Sequence, residues 1–370
     1  SIGCNALWLN PWYDSPFADA GYDVRDYKAI APRYGTMEDA KELFRVAHEK
    51  GIHVLMDMIP GHTSEEHPWF LAGTQSDEGE LAHRYIWTDN AFTRGDTMPF
   101  IGGEFPRNGT YIINYFKCQP ALNYGWRKIN EPWWQQTIDS PHALQTREAM
   151  KDVMRFWLAA GCDGFRVDMA DSLVKNDGPE KIGTMEVWKD ITSSVRKDYP
   201  DMALVSEWNN PRQALNCGFD MDFMLDWYGN GYSRLFRYGD WGDEAVFNKN
   251  GKGDLQGFLD EFLPRYNQTK DKGYISFMTN NHDMPRVTAY LDKQAIKLVN
   301  AFIFTMPGVP FLYYGDELGM RYQADLVSKE GGFSRTGSRT PMQWNSGKNL
   351  GFSESDEPYL PVDKSADAPT

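Results

Sequence analysis

Apolar residues fall at helical spacing at Met150, Val153, Met154, Trp157 and Leu158, and Gly161 then offers the left-handed turn that ends a helix. A short apolar strand, Gly164-Phe165-Arg166-Val167, follows and runs into a carboxylate, Asp168. The rhythm repeats. A helix over roughly 37 to 50, carrying Ala40, Leu43, Phe44 and Ala47, stops at Gly51 and leads into Ile52-His53-Val54-Leu55-Met56-Asp57. Val187, Ile191 and Val195 mark a helix that ends near Tyr199-Pro200 and precedes Ala203-Leu204-Val205-Ser206-Glu207. Tyr274-Ile275-Ser276-Phe277-Met278 leads to Asn280-Asn281-His282-Asp283. Such alternation predicts parallel strands joined by helical crossovers. A β/α barrel collects the carboxyl ends of its strands on one face, so the acids that end these strands are expected to converge.

The expected fold is therefore α/β, a (β/α)8 barrel of TIM type. Further strands are read at Asn5-Ala6-Leu7-Trp8-Leu9, near Met221-Asp222-Phe223 and at Val309-Pro310-Phe311-Leu312-Tyr313-Tyr314. Further helices fall near 254 to 267 and 293 to 305. That makes seven strands, one fewer than a closed barrel needs. Residues 63–145 break the rhythm with prolines, Gly102-Gly103, Trp69, Trp87, Trp126, Trp133, Trp134 and a β-like run over 110–115. They read as a small domain inserted between the strand ending at Asp57 and the helix that follows. The expected division is a barrel from 1–62 and 146–352, the insertion 63–145, and a polar loop, 353–370, leading to a missing C-terminal part. If this is the whole polypeptide, a barrel one strand short has an open seam with unpaired strand edges, the first near residues 5 to 9, which predicts low stability or association.

At 370 residues the chain exceeds a bare barrel of about 250, leaving room for the insertion. A net charge of −14 argues against nucleic acid as a partner. An aromatic fraction of 14% suits either a sugar cleft or a large core. Cys4, Cys118, Cys162 and Cys217 lie far apart, without metal or redox spacing, and read as reduced thiols. No stretch is apolar enough to span a membrane. The compartment is read as the cytoplasm, and the oligomeric state is not legible.

Arg166 and Asp168, two apart, share a strand face, where the guanidinium keeps the acid ionised. A structural ion pair at a strand end is the plain alternative. Glu207 follows an apolar strand, with Trp208 next and no cation adjacent, so desolvation is expected to favour its protonated form. Two carboxyl groups in these different states are the apparatus of glycoside hydrolysis. Asp283 beside His282 adds a third acid. A magnesium-dependent barrel of enolase type also sets acids at strand ends, but lysines are scarce near these ones. His62, five residues after Asp57, reads as a hydrogen-bond donor in a cleft or as a metal ligand lacking a third partner.

The segments Gly164-Phe165-Arg166-Val167-Asp168, Ser206-Glu207-Trp208 and Asn281-His282-Asp283, with Asp57 and His62, resemble the motifs of glycoside hydrolase family 13, the α-amylase family. Gln119-Pro120-Ala121-Leu122-Asn123, Tyr314-Gly315-Asp316-Glu317 and Arg339-Thr340-Pro341-Met342-Gln343-Trp344 resemble its oligo-1,6-glucosidase subgroup. The resemblance implies a retaining enzyme cleaving α-glucosidic bonds of small oligosaccharides from the non-reducing end. It implies Asp168 as nucleophile, Glu207 as acid/base and Asp283 as the third catalytic carboxylate. It also implies substrate binding by Asp19, Tyr22, Asp57, His62, Gln119, Arg166, His282 and Arg339, with Asp19 and Arg339 gripping the terminal glucose and Tyr22 stacking on it. The subgroup includes trehalose synthases and sucrose isomerases, so transglycosylation or isomerisation is the alternative. A non-catalytic transporter-subunit relative would have lost a carboxylate, and all three are present. Family members begin with one more strand and helix, so the resemblance implies that this chain lacks the first barrel strand with its calcium-carrying loop, and that the strand ending at Asp57 is the third. Gly61 stands where the family usually has Asn before the histidine, so calcium is in doubt at both places, and no metal or cofactor is assigned.

Overall fold

The first half of the chain runs β1 (Ala6–Leu9), an antiparallel pair β2 (Tyr13–Asp14) and β3 (Asp26–Ile30), α1 (Met37–Glu49), β4 (His53–Met58) and α2 (Pro68–Gln75). A hairpin of β5 (Phe100–Gly102) and β6 (Thr110–Ile112) follows, then α3 (Pro141–Ala160), β7 (Gly164–Val167), α4 (Ile182–Val195) and β8 (Ala203–Ser206). The computed structural model describes residues 2–93, 98–227, 229–239 and 242–370. It divides into two units, one holding Gly3–Trp208 and Gln213–Asp220, the other Asn209–Arg212 and Met221–Thr370.

In the first unit β1, β4, β7 and β8 are successive parallel neighbours. From Val54 to Met58 and through all of β7 every residue is buried, as in a parallel sheet covered on both faces. The covering helices start and stop where the sequence indicates. Thr36 and Asp39 form a reciprocal capping box at α1. Ser140 caps α3 ahead of Pro141, and Gly161 ends it at φ 120°. Met150, Val153, Met154 and Trp157 are buried as their spacing predicts. Leu43 is not. It is 37% exposed, because α1 buries a narrow stripe of Ala40, Phe44 and Ala47 and leaves the adjacent position on its rim.

Register decides what the strand ends present. Asp57 lies opposite Arg166, and Val167 opposite Ser206, so Asp168 and Glu207 leave their strands side by side, while Asp57 sits two residues lower, level with Arg166. Gly164 permits this pairing. A Cβ there would stand 1.9 Å from the carbonyl oxygen of Ala203, so no side chain fits between β7 and β8.

The second unit contains β9 (Met221–Phe223), α5 (Leu255–Thr269), β10 (Tyr274–Met278), α6 (Lys293–Thr305) and β11 (Val309–Phe311). β10 pairs parallel with both β9 and β11. Its own core is built on Phe258, Phe262, Phe277, Val299 and Ile303. The seven strands expected from the sequence thus form, although β11 stops three residues early, where Tyr313 and Tyr314 turn out of the ladder. The stretch 63–145 carries the β5–β6 hairpin and a small apolar cluster of Ile86, Ile112, Ala121, Trp126 and Trp134. Phe70, Tyr85, Trp87 and Tyr111 from the same stretch join the larger core of the first unit. Residues 94–97 of this stretch lie outside the described residues.

Candidate active site

Arg166, on β7, is 1% exposed and lies among three acids. Its Nη1 donates to Asp57 Oδ1 at 2.8 Å and to Asp168 Oδ1 at 2.9 Å, and its Nη2 meets Glu207 Oε2 at 2.9 Å. Asp57 ends β4, Asp168 follows β7 and Glu207 follows β8, so strand pairing delivers all three to one guanidinium. Burial works against the charge of Arg166, but Asp57, Glu207 and Asp168 outweigh it and hold its pKa well above the usual range. This corrects the expectation that Glu207 has no cation beside it. The nearest cation is 41 residues away in sequence and one strand away in space. Glu207 Oε2 also accepts the N–H of Met169 at 3.0 Å, from a backbone held in the left-handed region at φ 41°.

Asp57 accepts two further donors on Oδ2, the Tyr22 hydroxyl at 2.8 Å and the Trp8 indole N–H at 3.0 Å. Burial pushes its carboxyl up to about 6, against the opposing pull of Arg166 and these donors. The Trp8 ring also faces the Arg166 guanidinium at 5.0 Å, a cation–π contact. Tyr22 is 5% exposed, its ring packed and its hydroxyl held by Asp57.

His62 is buried, and both ring nitrogens are engaged. Nε2 lies 3.1 Å from the carbonyl oxygen of Tyr22, and Nδ1 lies 3.0 Å from Asn114 Nδ2. Desolvation lowers its pKa to about 4, with Lys175 adding to the effect against the Tyr22 carbonyl. The ring N–H expected to serve a ligand is thus directed to backbone. Among the described residues no group of three potential metal ligands forms. Asp19 and Gln119 do come together. Gln119 Nε2 donates to Asp19 Oδ2 at 2.7 Å, and Gln119 Oε1 accepts the N–H of Phe116. Asp23 fixes the same loop by accepting the N–H groups of Ala18 and Asp19.

In the second unit Asp283 meets His282 Nε2 at 3.0 Å, Arg335 Nη1 at 2.8 Å and Arg339 Nη2 at 3.3 Å. Burial favours its neutral form, but His282, Arg335 and Arg339 overcome this and hold the carboxyl well below the usual range. Arg339 Nε donates to the carbonyl of His282, so this arginine is committed to the His282–Asp283 corner. Deeper in the unit, Arg286 donates to Asp316 Oδ1 at 2.8 Å, and the Thr279 hydroxyl and Asn280 amide donate to Oδ2.

Sequence reasoning missed Trp8, Asn114 and Arg335. Trp8 sits in a recognised strand one turn of the pleat before its end, and that position was its only signal. Arg335 lies four residues before Arg339, in the 3-10 segment Phe333–Ser338, and its spacing gave no sign that it would meet Asp283.

Comparison with known proteins agrees with this arrangement. A family model described as alpha amylase, catalytic domain, matches residues 1–368. The probable oligo-1,6-glucosidase 3 of Bacillus subtilis is 30% identical, over 98% of this chain and 72% of its own length. The trehalose synthase/amylase TreS of Mycolicibacterium smegmatis is 29% identical, over 99% of this chain and 64% of its own. In fold, the trehalulose synthase MutB of Pseudomonas mesoacidophila superposes with a TM-score of 0.78 at 24% identity, over 98% of this chain and 72% of that one. Parallel strands ending on acids, spaced as the motifs require and matched along nearly the whole length, lead to one assignment: this chain belongs to the alpha-amylase family and has its (β/α)8 barrel type of fold.

Proposed function

We propose that this protein is a retaining α-glucosidase, cleaving small α-glucosides from the non-reducing end by double displacement. The observation that carries the reading is the single guanidinium bonded to Asp168 on one Nη and to Glu207 on the other. A retaining pair stands about 5 to 5.5 Å apart, and a shared fork draws two carboxyl groups together in this way. Asp168 attacks the anomeric carbon, and the bond to the leaving oxygen breaks as Glu207 gives it a proton. Water then attacks the glycosyl–Asp168 ester, Glu207 takes the water proton, and the carboxylate of Asp168 is released. Glu207 starts this cycle protonated, with substrate displacing its contact to Arg166. Asp283 serves as the third carboxylate. In the first unit Asp19, Tyr22, Asp57, Gln119 and Arg166 are the residues assigned to the terminal glucose, while the His62 N–H holds the Tyr22 carbonyl instead, and no cofactor takes part. The cysteines are carried as thiols, Cys217 donating to the Ala214 carbonyl, which supports a reducing compartment such as the cytoplasm. Among the described residues no helix is long and apolar enough to cross a membrane.

The test incubates the protein with maltose, isomaltose, sucrose and trehalose and follows the first product by NMR. α-Glucose as first product supports the reading, and β-glucose overturns it. Oligosaccharides capped at the non-reducing end should resist cleavage. The relative named trehalose synthase/amylase, only one percentage point less identical than the oligo-1,6-glucosidase, favours transglycosylation as the second reading. A new disaccharide among the products would select it.

A further inference from the structure

The side chain of Asn114, in the inserted stretch, reaches the histidine and the turn beside the acid cluster of the first unit. A backbone carbonyl only accepts, so the His62 Nε2 facing the Tyr22 oxygen carries the proton. The neutral ring then has its lone pair on Nδ1, and the group 3.0 Å away must be the NH2 of Asn114. The same NH2 lies 3.8 Å from Met169 Sδ, a weak acceptor. Met169 is the strained residue that follows Asp168 and donates its N–H to Glu207. Gly61 makes room for this link. A Cβ at position 61 would stand 2.8 Å from Asn114 Nδ2, closer than such contacts allow.

We propose that Asn114 is a positioning residue for the glycosidase chemistry. Its amide locks His62 as the Nε2–H tautomer and steadies the Met169 turn between Asp168 and Glu207, and Gly61 admits that amide. The inference rests on the glucosidase reading for its kinetic consequences. The charged group whose field reaches His62 is Lys175, held by the carbonyl of Ser172, while Asp57 connects to the same loop through the Tyr22 hydroxyl. The Asn114 contact itself is neutral, so a charge introduced there has a defined effect.

The experiment compares Asn114→Ala, Asn114→Asp, Gly61→Ala and the Asn114→Ala/Gly61→Ala double variant with the wild type, using a chromogenic α-glucoside. Asn114→Ala should lower kcat about 10- to 100-fold with little change in KM. Gly61→Ala should match it by displacing the amide, and the double variant should be no worse than either single one. Asn114→Asp sets a carboxylate on Nδ1 and favours a proton there, so the activity profile should shift with pH. Nitrogen NMR of histidine-labelled protein should show His62 with only Nε2 protonated in the wild type and with protonated Nδ1 in Asn114→Asp. Independent, multiplying losses in the double variant, or His62 signals unchanged in Asn114→Asp, would overturn the proposal. If the wild type lacks glucosidase activity the functional reading falls, and the NMR arm still decides the state of His62.

Discussion

The two acid clusters use the same residue types in opposite proportion. In the first unit Asp57, Asp168 and Glu207 surround the single guanidinium of Arg166. In the second, Asp283 lies between the two guanidiniums of Arg335 and Arg339, with His282 beside it. The first holds more carboxylate than its cation neutralises, in a place where water is scarce. That is a poor arrangement for stability and a good one for stabilising a cationic, oxocarbenium-like centre. The second is neutralised from within, which holds Asp283 ionised and ties its corner together. Acids from strand ends therefore need not do equivalent work, and the ratio of cation to carboxylate tells them apart.

The comparison is broken most directly at Asp168. Asp168→Asn should cut kcat by at least about 10³-fold while leaving stability unchanged or slightly raised. Steady-state kinetics and a thermal melt on one preparation read both. Removing the cation should instead cost stability. Arg166→Ala removes the shared cation of two buried acids, Asp57 and Asp168, and of the half-buried Glu207, and is expected to destabilise by about 3 to 5 kcal/mol, measured by denaturant titration. A loss under about 1 kcal/mol would mean that the acids find other partners.

Acid should weaken the first unit before the second. His62 and His67 are buried neutral, with pKa values lowered to about 4 and about 3, chiefly by desolvation. An unfolded histidine titrates near about 6.5. Below that pH the unfolded chain binds protons that the folded one refuses, and stability falls as pH drops towards 4. Asp57, raised to about 6, acts in the opposite sense, since its folded form takes up a proton before its unfolded form does. One carboxyl does not offset two histidines with larger shifts, so the net loss is of the order of a few kcal/mol. Asp283 contributes stability above its unfolded pKa near about 4, lost only as pH falls further. Hydrogen exchange at pH 7 and pH 5 should show faster opening of β4 and β7, with β10 unchanged. Equal acceleration in both would remove the distinction.

The smallest effects sharpen the second cluster. Asp283→Asn should destabilise by about 1 kcal/mol, opposite in sign to any effect of Asp168→Asn, because it leaves two arginines without their acid. Arg335→Ala should cost no more than about 1 kcal/mol, since Asp283 keeps His282 and Arg339 and is partly exposed. Paired thermal melts of the variants check both values.

The strands, their order and the acids that end them were legible because a parallel strand buried on both faces leaves an apolar run with an abrupt polar end. The motif residues Asp57, Arg166, Asp168 and Glu207 were read from those ends and do meet. What could not be read are contacts set by register across the sheet or by loops folding back. Arg166 reaches Glu207 through the pairing of β7 with β8, and Asn114 reaches His62 from a loop 52 residues later. The burial of the His62 ring N–H against Tyr22 likewise depends on how the loop after β1 closes, which no local spacing encodes. The break into two units near Trp208 was also invisible, because the helix–strand rhythm continues across it.

Gly164 bears on how the chain finds this arrangement. At φ 156° a Cβ on residue 164 would point at the carbonyl oxygen of Ala203. In a pairing slipped by one residue, the side chain brought to this place would meet that carbonyl unless the strand changed its local conformation. The glycine therefore acts as an index mark during folding. Only one alignment closes, and that alignment also sets Arg166 level with Asp57. A larger residue at 164 should accordingly lengthen the search for the native pairing and slow refolding, and the guanidinium would reach its three acids late.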